Sequence, residues 1–234
     1  MASVGYNDGR AHITVGTFLH QRVFRLKALV VIWQKLRGKM AMEHMAHGRL
    51  LWLDAMMHEG KRISIINIHQ ATARRLDHQS RVNTHIQAEM TKSEGRRRIM
   101  GGDLNAATSR TGYSISTKSH FEKVDNQFQE FIQRTGGSLN QSEAHTRKDL
   151  MGGASLDDIK SVTLDHVISW IFSNDDTAEI PAPKSTVHWV GACVSDHALI
   201  SCTIDEQLLS YQDPWAGDPG GRTGAIKANK IDPV

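Results

Sequence analysis

Cysteine is scarce in this chain, and long apolar runs are missing. Cys193 and Cys202 are the only thiols, they flank a Ser-Asp-His segment on what read as neighbouring strand positions, and no CxxC spacing suggests a zinc site or a redox pair. Both are expected to be reduced, buried and inert. The longest apolar run, Ala28 to Trp33, falls far short of the roughly 20 residues a membrane helix needs, and no basic-then-apolar signal follows Met1. A soluble intracellular protein with no membrane span is the expectation. With only 5 prolines, 39% hydrophobic and 23% charged residues, the composition excludes a largely disordered chain. No charge of one sign dominates: the formal net charge is +3, a mildly basic balance that is compatible with a polyanionic partner and proves none. There is no P-loop, no GxGxxG, no HExxH, no internal repeat and no low-complexity block. His44 and His47 therefore read as solvated histidines rather than zinc ligands. No protein partner is evident, and a monomer is expected.

What is present is one domain's worth of alternating strand and helix patterns over residues 1–205, followed by a loose Gly- and Pro-bearing tail, 206–234. Residues 11–18 alternate as a strand. Residues 23–33 are apolar enough for a buried strand and could equally form a helix. Residues 49–57 and 62–69 flank the polar turn His58-Glu59-Gly60-Lys61, which makes them a hairpin by turn chemistry. In the second of these, Ile63, Ile65, Ile66 and Ile68 are apolar on both faces, which places that strand inside a covered sheet. Helices are expected over 73–93 and 121–134, the second ending at Gly136-Gly137. Further strands are expected over 96–100, 162–171, 187–194 and 197–204. The fold class that follows is α+β, a two-sheet β-sandwich flanked by helices.

Four short clusters lie at the ends of these strands: Asn67-Ile68-His69, Gly102-Asp103-Leu104-Asn105, Leu164-Asp165-His166 and Ser195-Asp196-His197. A Gly-Asp-Leu-Asn segment alone is also what an ordinary turn looks like. Asp165 is harder to dismiss, because a carboxylate among Leu164, Val167 and Ile168 needs a partner if it is buried, and His197 is the natural one. Asp103 and Asp196 supply hard oxygen ligands of the kind Mg²⁺ prefers. Asn67 and Asn105 can donate to phosphate oxygens without adding charge. Together the set suggests metal-assisted phosphate-ester hydrolysis, with a carboxylate or histidine activating water.

The ordered series NIH, GGDLN, LDHV and SDH resembles the later motifs of the endonuclease/exonuclease/phosphatase family, whose fold is that of deoxyribonuclease I. The resemblance covers about residues 11–204 and is strongest from 62 onward. It implies that Asp103 positions or deprotonates the attacking water and that Asn105 contacts the scissile phosphate. It implies that Asp165 orients His197, which binds phosphate or acts as acid/base. His69 would be a general acid or a donor to the transition state, Asn67 would shape the site, and Asp196 would be a metal ligand beside Asp103. The implied cofactor is Mg²⁺ or Mn²⁺, and the implied substrate is nucleic acid, with the retroelement type of endonuclease the most apt.

Members of that family begin with a strand ending in Asn and a second ending in a metal-binding Glu, and neither is found here. Residues 11–18 and 23–33 resemble the family's third and fourth strands. Glu43 is a poor substitute, so the domain is expected to be incomplete at its N-terminus, with weak metal binding and an exposed sheet edge. Two alternatives stand beside the nuclease: the same fold acting on a phospholipid or phosphoinositide head group, and an inactive remnant serving as a binding module. Arg74-Arg75 and Arg96-Arg97-Arg98 read either as nucleic-acid-tracking residues or as a solvated surface.

Overall fold

The computed structural model describes residues 2–7, 12–17, 19, 22–23, 30–31, 50–58, 60, 62–72, 76–92, 97–108, 110–111, 115–140, 145–148, 161–170, 185–189 and 196–204. Glu43, His44, His47, Arg74, Arg75, Arg96, Cys193, Ser195, two residues of the polar turn and the tail from 206 lie outside them. In chain order the elements are β1 (Ala2–Asn7), β2 (His12–Thr17), β3 (Val30–Val31), β4 (Leu50–Met56), β5 (Arg62–His69), α1 (Leu76–Lys92), β6 (Arg98–Asp103) and β7 (Arg110–Thr111). There follow α2 (Ile115–Thr135), β8 (Ser138–Asn140), β9 (Arg147–Lys148), β10 (Ser161–Val162), β11 (Asp165–Trp170), β12 (Ser185–His188) and β13 (Leu199–Cys202).

The chain is α+β, sheets with helical cover, as the patterning implied. Its centre is a six-stranded sheet in the order β3-β4-β5-β6-β11-β8, accompanied by a small sheet β7-β10-β9 and the hairpins β1–β2 and β12–β13. β4 and β5 are the hairpin that the turn residues predicted. β5 and β6 are the one parallel pair among the described strands, and α1 makes the long connection that a parallel pair requires.

Side-chain alternation divides the large sheet into two faces. Leu50, Trp52, Ile66, Ile68, Met100, Ile168 and Trp170 point to one face and form a continuous core with Val82, Ile86 and Met90 of α1 and Val124, Phe128 and Phe131 of α2. The helices are there because their apolar residues recur every three or four positions and have this surface to cover. On the opposite face Leu51, Leu53, Ala55 and Ile63 are also buried, and hairpin β1–β2 runs close to β4 and β5. Both faces of the strand pair are thus covered, which is why β4 and β5 read as near-continuous apolar runs. α2 stops where Gly136 takes a positive φ of 65° and the Gly137 N–H turns back to donate to Ile132 O at 3.1 Å.

Two expectations are corrected. Arg97 and Arg98 are not solvated, being 7% and 2% exposed. Arg98 instead donates from Nη2 to Met90 O at 3.1 Å, at the C-terminal end of α1, where a cation complements the helix dipole. Cys202 is a free thiol as expected, but half-buried rather than buried.

Candidate active site

Register builds the site. His69 at the end of β5 pairs with Asp103 at the end of β6, and Asp103 pairs with Asp165 at the start of β11. Directly paired residues project to the same face, so three chemistry-bearing side chains stand in one row across the sheet, on the face away from the helices. His69 Nε2 lies 3.7 Å from Asp103 Oδ2. Asn67 occupies the same face one row further in, opposite Gly101.

The turn after β6 locks Asp103. Gly102 has φ of 142°, and a Cβ there would sit 1.8 Å from Ile68 O, so only glycine lets β6 approach β5 this closely. Asn105 takes a positive φ of 49°, which Asn tolerates better than most residues. Its N–H donates to Asp103 Oδ1 at 2.8 Å, and its side-chain amide donates to Gln70 O at 2.8 Å, with Asp103 Oδ2 a further 3.4 Å neighbour. The Gln70 N–H donates in turn to Asp103 O at 2.7 Å. Asp125 of α2 holds the next part of this connection, accepting from the Ala107 N–H and from both Nε and Nη2 of Arg110, each at 2.8 Å.

His197 reaches the row from outside the large sheet. Its Nδ1 donates to Asp165 Oδ2 at 2.8 Å. The backbone around it is bridged to segment 145–148: Arg147 faces His197, Lys148 N–H donates to Asp196 O at 3.0 Å, and Ala198 N–H donates to Thr146 O at 2.7 Å. Asp196 is not in the row. Its carboxylate accepts from Arg147 Nε at 3.2 Å on the half-exposed rim, so the structure groups Asp103 with Asp165 and His197 instead of with Asp196. His166, next to Asp165, points the other way, into the core, where it lies 4.8 Å from the Phe128 ring and its Nε2 donates to Ala106 O at 2.9 Å.

The electrostatics follow from these contacts. Burial pushes the Asp103 carboxyl above its ordinary value, and the Asp165 charge adds to that effect. The Asn105 amide and the two nearby imidazoles pull the other way. The hydrogen bond to Asp165 holds His197 above the usual histidine value, against its partial burial. Burial lowers His166, which is neutral in the core.

The fold has known counterparts. The structure is similar to that of D. rerio TDP2 complexed with a single-strand DNA product, with a TM-score of 0.50 and 12% identity over 86% of this chain and 75% of that one. The chain has the endonuclease/exonuclease/phosphatase fold. Truncated Caenorhabditis elegans TDP2 gives a TM-score of 0.45 and 16% identity over 85% of this chain and 73% of that chain. An endonuclease/exonuclease/phosphatase family protein from Bacteroides thetaiotaomicron gives 0.42 and 12% over 65% and 54%. No family model matches the sequence, and no curated protein matches it.

On this endonuclease/exonuclease/phosphatase scaffold, Asp103, Asp165 and His197 offer ligand atoms that all lie within 4.8 Å of one another. The carboxylates of the donor set fit a hard divalent cation: the Asp165 charge raises the cost of ionising Asp103, and a cation between them would offset it. Two residues at the site carry no sequence signal. Thr146 is 19 positions from Asp165, and Gln70 follows the His69 motif as an unremarkable strand end. Both act through hydrogen bonds that no spacing rule encodes. Lys148 Nζ lies 4.7 Å over the Trp189 ring, an aromatic surface that motif reading did not single out. Among the described residues, no helix is long and apolar enough to cross a membrane.

Proposed function

We propose that this chain hydrolyses phosphodiester bonds with a divalent metal, acting as an endonuclease on nucleic acid. The observation that carries the reading is the row His69–Asp103–Asp165 in strand register with His197 bonded to Asp165, because it brings a raised-pKa carboxylate and two imidazoles to one accessible edge. Asp103, held less acidic than an ordinary carboxylate, orients a water and accepts its proton. Asp165 keeps His197 in a single orientation as a donor to a phosphate oxygen, and the raised pKa keeps that imidazole cationic as negative charge develops. His69, whose side chain is 41% exposed at the strand end, supplies a donor on the leaving-group side. Asn67 and Asn105 contact the phosphate as neutral donors, Asn105 also fixing Asp103.

The Asp103 and Asp165 carboxylates would hold Mg²⁺ or Mn²⁺, which would supply Lewis-acid polarisation of the phosphate, with His197 left as the donor. Nucleic acid is favoured as substrate by the basic balance of the chain and by the single-strand DNA product bound to the D. rerio TDP2 structure of the same fold.

The test is nicking of supercoiled plasmid by the purified chain with Mg²⁺ or Mn²⁺, beside EDTA and an Asp103→Ala, His197→Ala double variant. Metal-dependent nicking that vanishes in both controls is expected. Folded protein that leaves the plasmid intact at every metal concentration would overturn the nuclease reading.

A further inference from the structure

The hydroxyl of Thr146 is buried between the two halves of the acid–imidazole pair. The residue is 0% exposed. Its Oγ1 accepts the N–H of Leu164 at 3.0 Å and that of Asp165 at 3.1 Å, at the point where the chain enters β11 and presents the Asp165 carboxylate. Its own carbonyl accepts the N–H of Ala198 at 2.7 Å, immediately after His197. Its neighbours continue the tie, since Arg147 pairs with His197 and Lys148 donates to Asp196. Asp165 is part of the large sheet, where β11 has its ladder partners in β6 and β8, whereas His197 lies outside the named strands and is bridged to Arg147 of β9.

We propose that Thr146 is the positioning residue of the Asp165–His197 pair, its side chain fixing the carboxylate's backbone and its main chain fixing the imidazole's. The proposal rests on the Asp165–His197 pair having the role assigned above, but its geometry is testable without turnover. A side-chain hydroxyl is needed because Leu164 and Asp165 turn two consecutive N–H groups to one spot, and one oxygen with two lone pairs accepts both. Valine has the same shape and no acceptor, so it removes the tie while keeping the packing; serine keeps the acceptor.

The decisive measurement is NMR on the whole chain. In the wild type the Leu164 and Asp165 amides should exchange slowly, and the His197 Nδ1 proton should appear as a resolved downfield resonance that Asp165→Asn abolishes. Thr146→Val should release both amides and broaden or erase the His197 resonance, Thr146→Ser should retain them, and Thr135→Val, a hydroxyl removed from the end of α2, should leave them untouched. If plasmid nicking is present, Thr146→Val should lower kcat about 10- to 100-fold with little change in KM, the usual scale for a group that orients another.

An unchanged His197 resonance and unchanged exchange in Thr146→Val, or equal loss in Thr146→Ser, would overturn the proposal. Should the valine variant fail to fold, the wild-type rates decide: fast exchange at Leu164 and Asp165 sinks the idea. A wild type that nicks nothing yet shows the Thr146-dependent resonance defeats the nuclease reading and leaves this one standing.

Discussion

Asp103 is where the cost of chemistry is concentrated. Its pKa is raised by burial and by Asp165, so keeping it ionised near neutral pH opposes folding, and the penalty is relieved as pH falls through the folded value. Asp103→Asn removes the charge yet keeps an oxygen for the Asn105 N–H, so it should raise the melting temperature of the metal-free protein by a few degrees. The same variant should lose nicking altogether. A melting temperature that falls instead would mean that the carboxylate is compensated in the folded chain, contrary to its surroundings. Thr146 and Gln70 illustrate the other kind of residue at this site: neither carries reactive chemistry, and each is defined by the backbone groups it satisfies.

At the scale of elements, the connection from β6 to α2 matters most, because it carries Asn105 and is pinned by Asp125. That carboxylate meets Arg110 through two bonds with little exposure on either side, and Arg110 also stacks 4.1 Å from the Phe121 ring. Asp125→Ala removes the partner of a largely buried guanidinium and the acceptor of Ala107 N–H together, and should cost about 2–4 kcal/mol in urea unfolding. A loss below about 1 kcal/mol would show the clasp to be solvent-screened. Much of this level was legible in the sequence. The hairpin of β4 and β5 followed from its turn, and α1 and α2 from their apolar spacing, α2 beginning somewhat earlier than its stripe indicates; β6 was legible as a strand over 96–100 but runs on through Gly101 and Gly102 to Asp103. Strands of two or three residues, β7 to β10, were not legible, since so few positions carry no period. The motif residues His69, Asp103, Asp165 and His197 could be named from their strand-end contexts, whereas the outward turn of Asp196 to Arg147 depends on a half-exposed ion pair that only the folded backbone offers.

At the scale of the whole molecule, two of the described histidines lean in opposite directions. His166 is neutral in the core, so the unfolded chain takes up its proton at higher pH than the folded chain, and stability from this residue is complete above the ordinary histidine value and declines as pH drops below it. His197 has the reverse sign: its contribution is present below that value and is lost as pH rises through its own raised one. In thermal melts from about pH 7.5 down to about pH 5.5 the two act against each other, so His166→Gln should shift the change in stability toward acid in the favourable direction and His197→Gln in the unfavourable one. A pH dependence unaltered by His166→Gln would contradict the lowered value of that residue. The strand row has a different kind of consequence. Because alternation along β5 has a period of two, sliding that strand by a single position against β6 would turn His69 and Asn67 toward the helices and bring Ile68 and Ile66 out in their place. The arrangement of reactive groups is therefore digital: an insertion or deletion of one residue within 62–69 does not loosen the site by degrees but inverts it, so length in this strand is under a stricter constraint than residue identity at most of its positions.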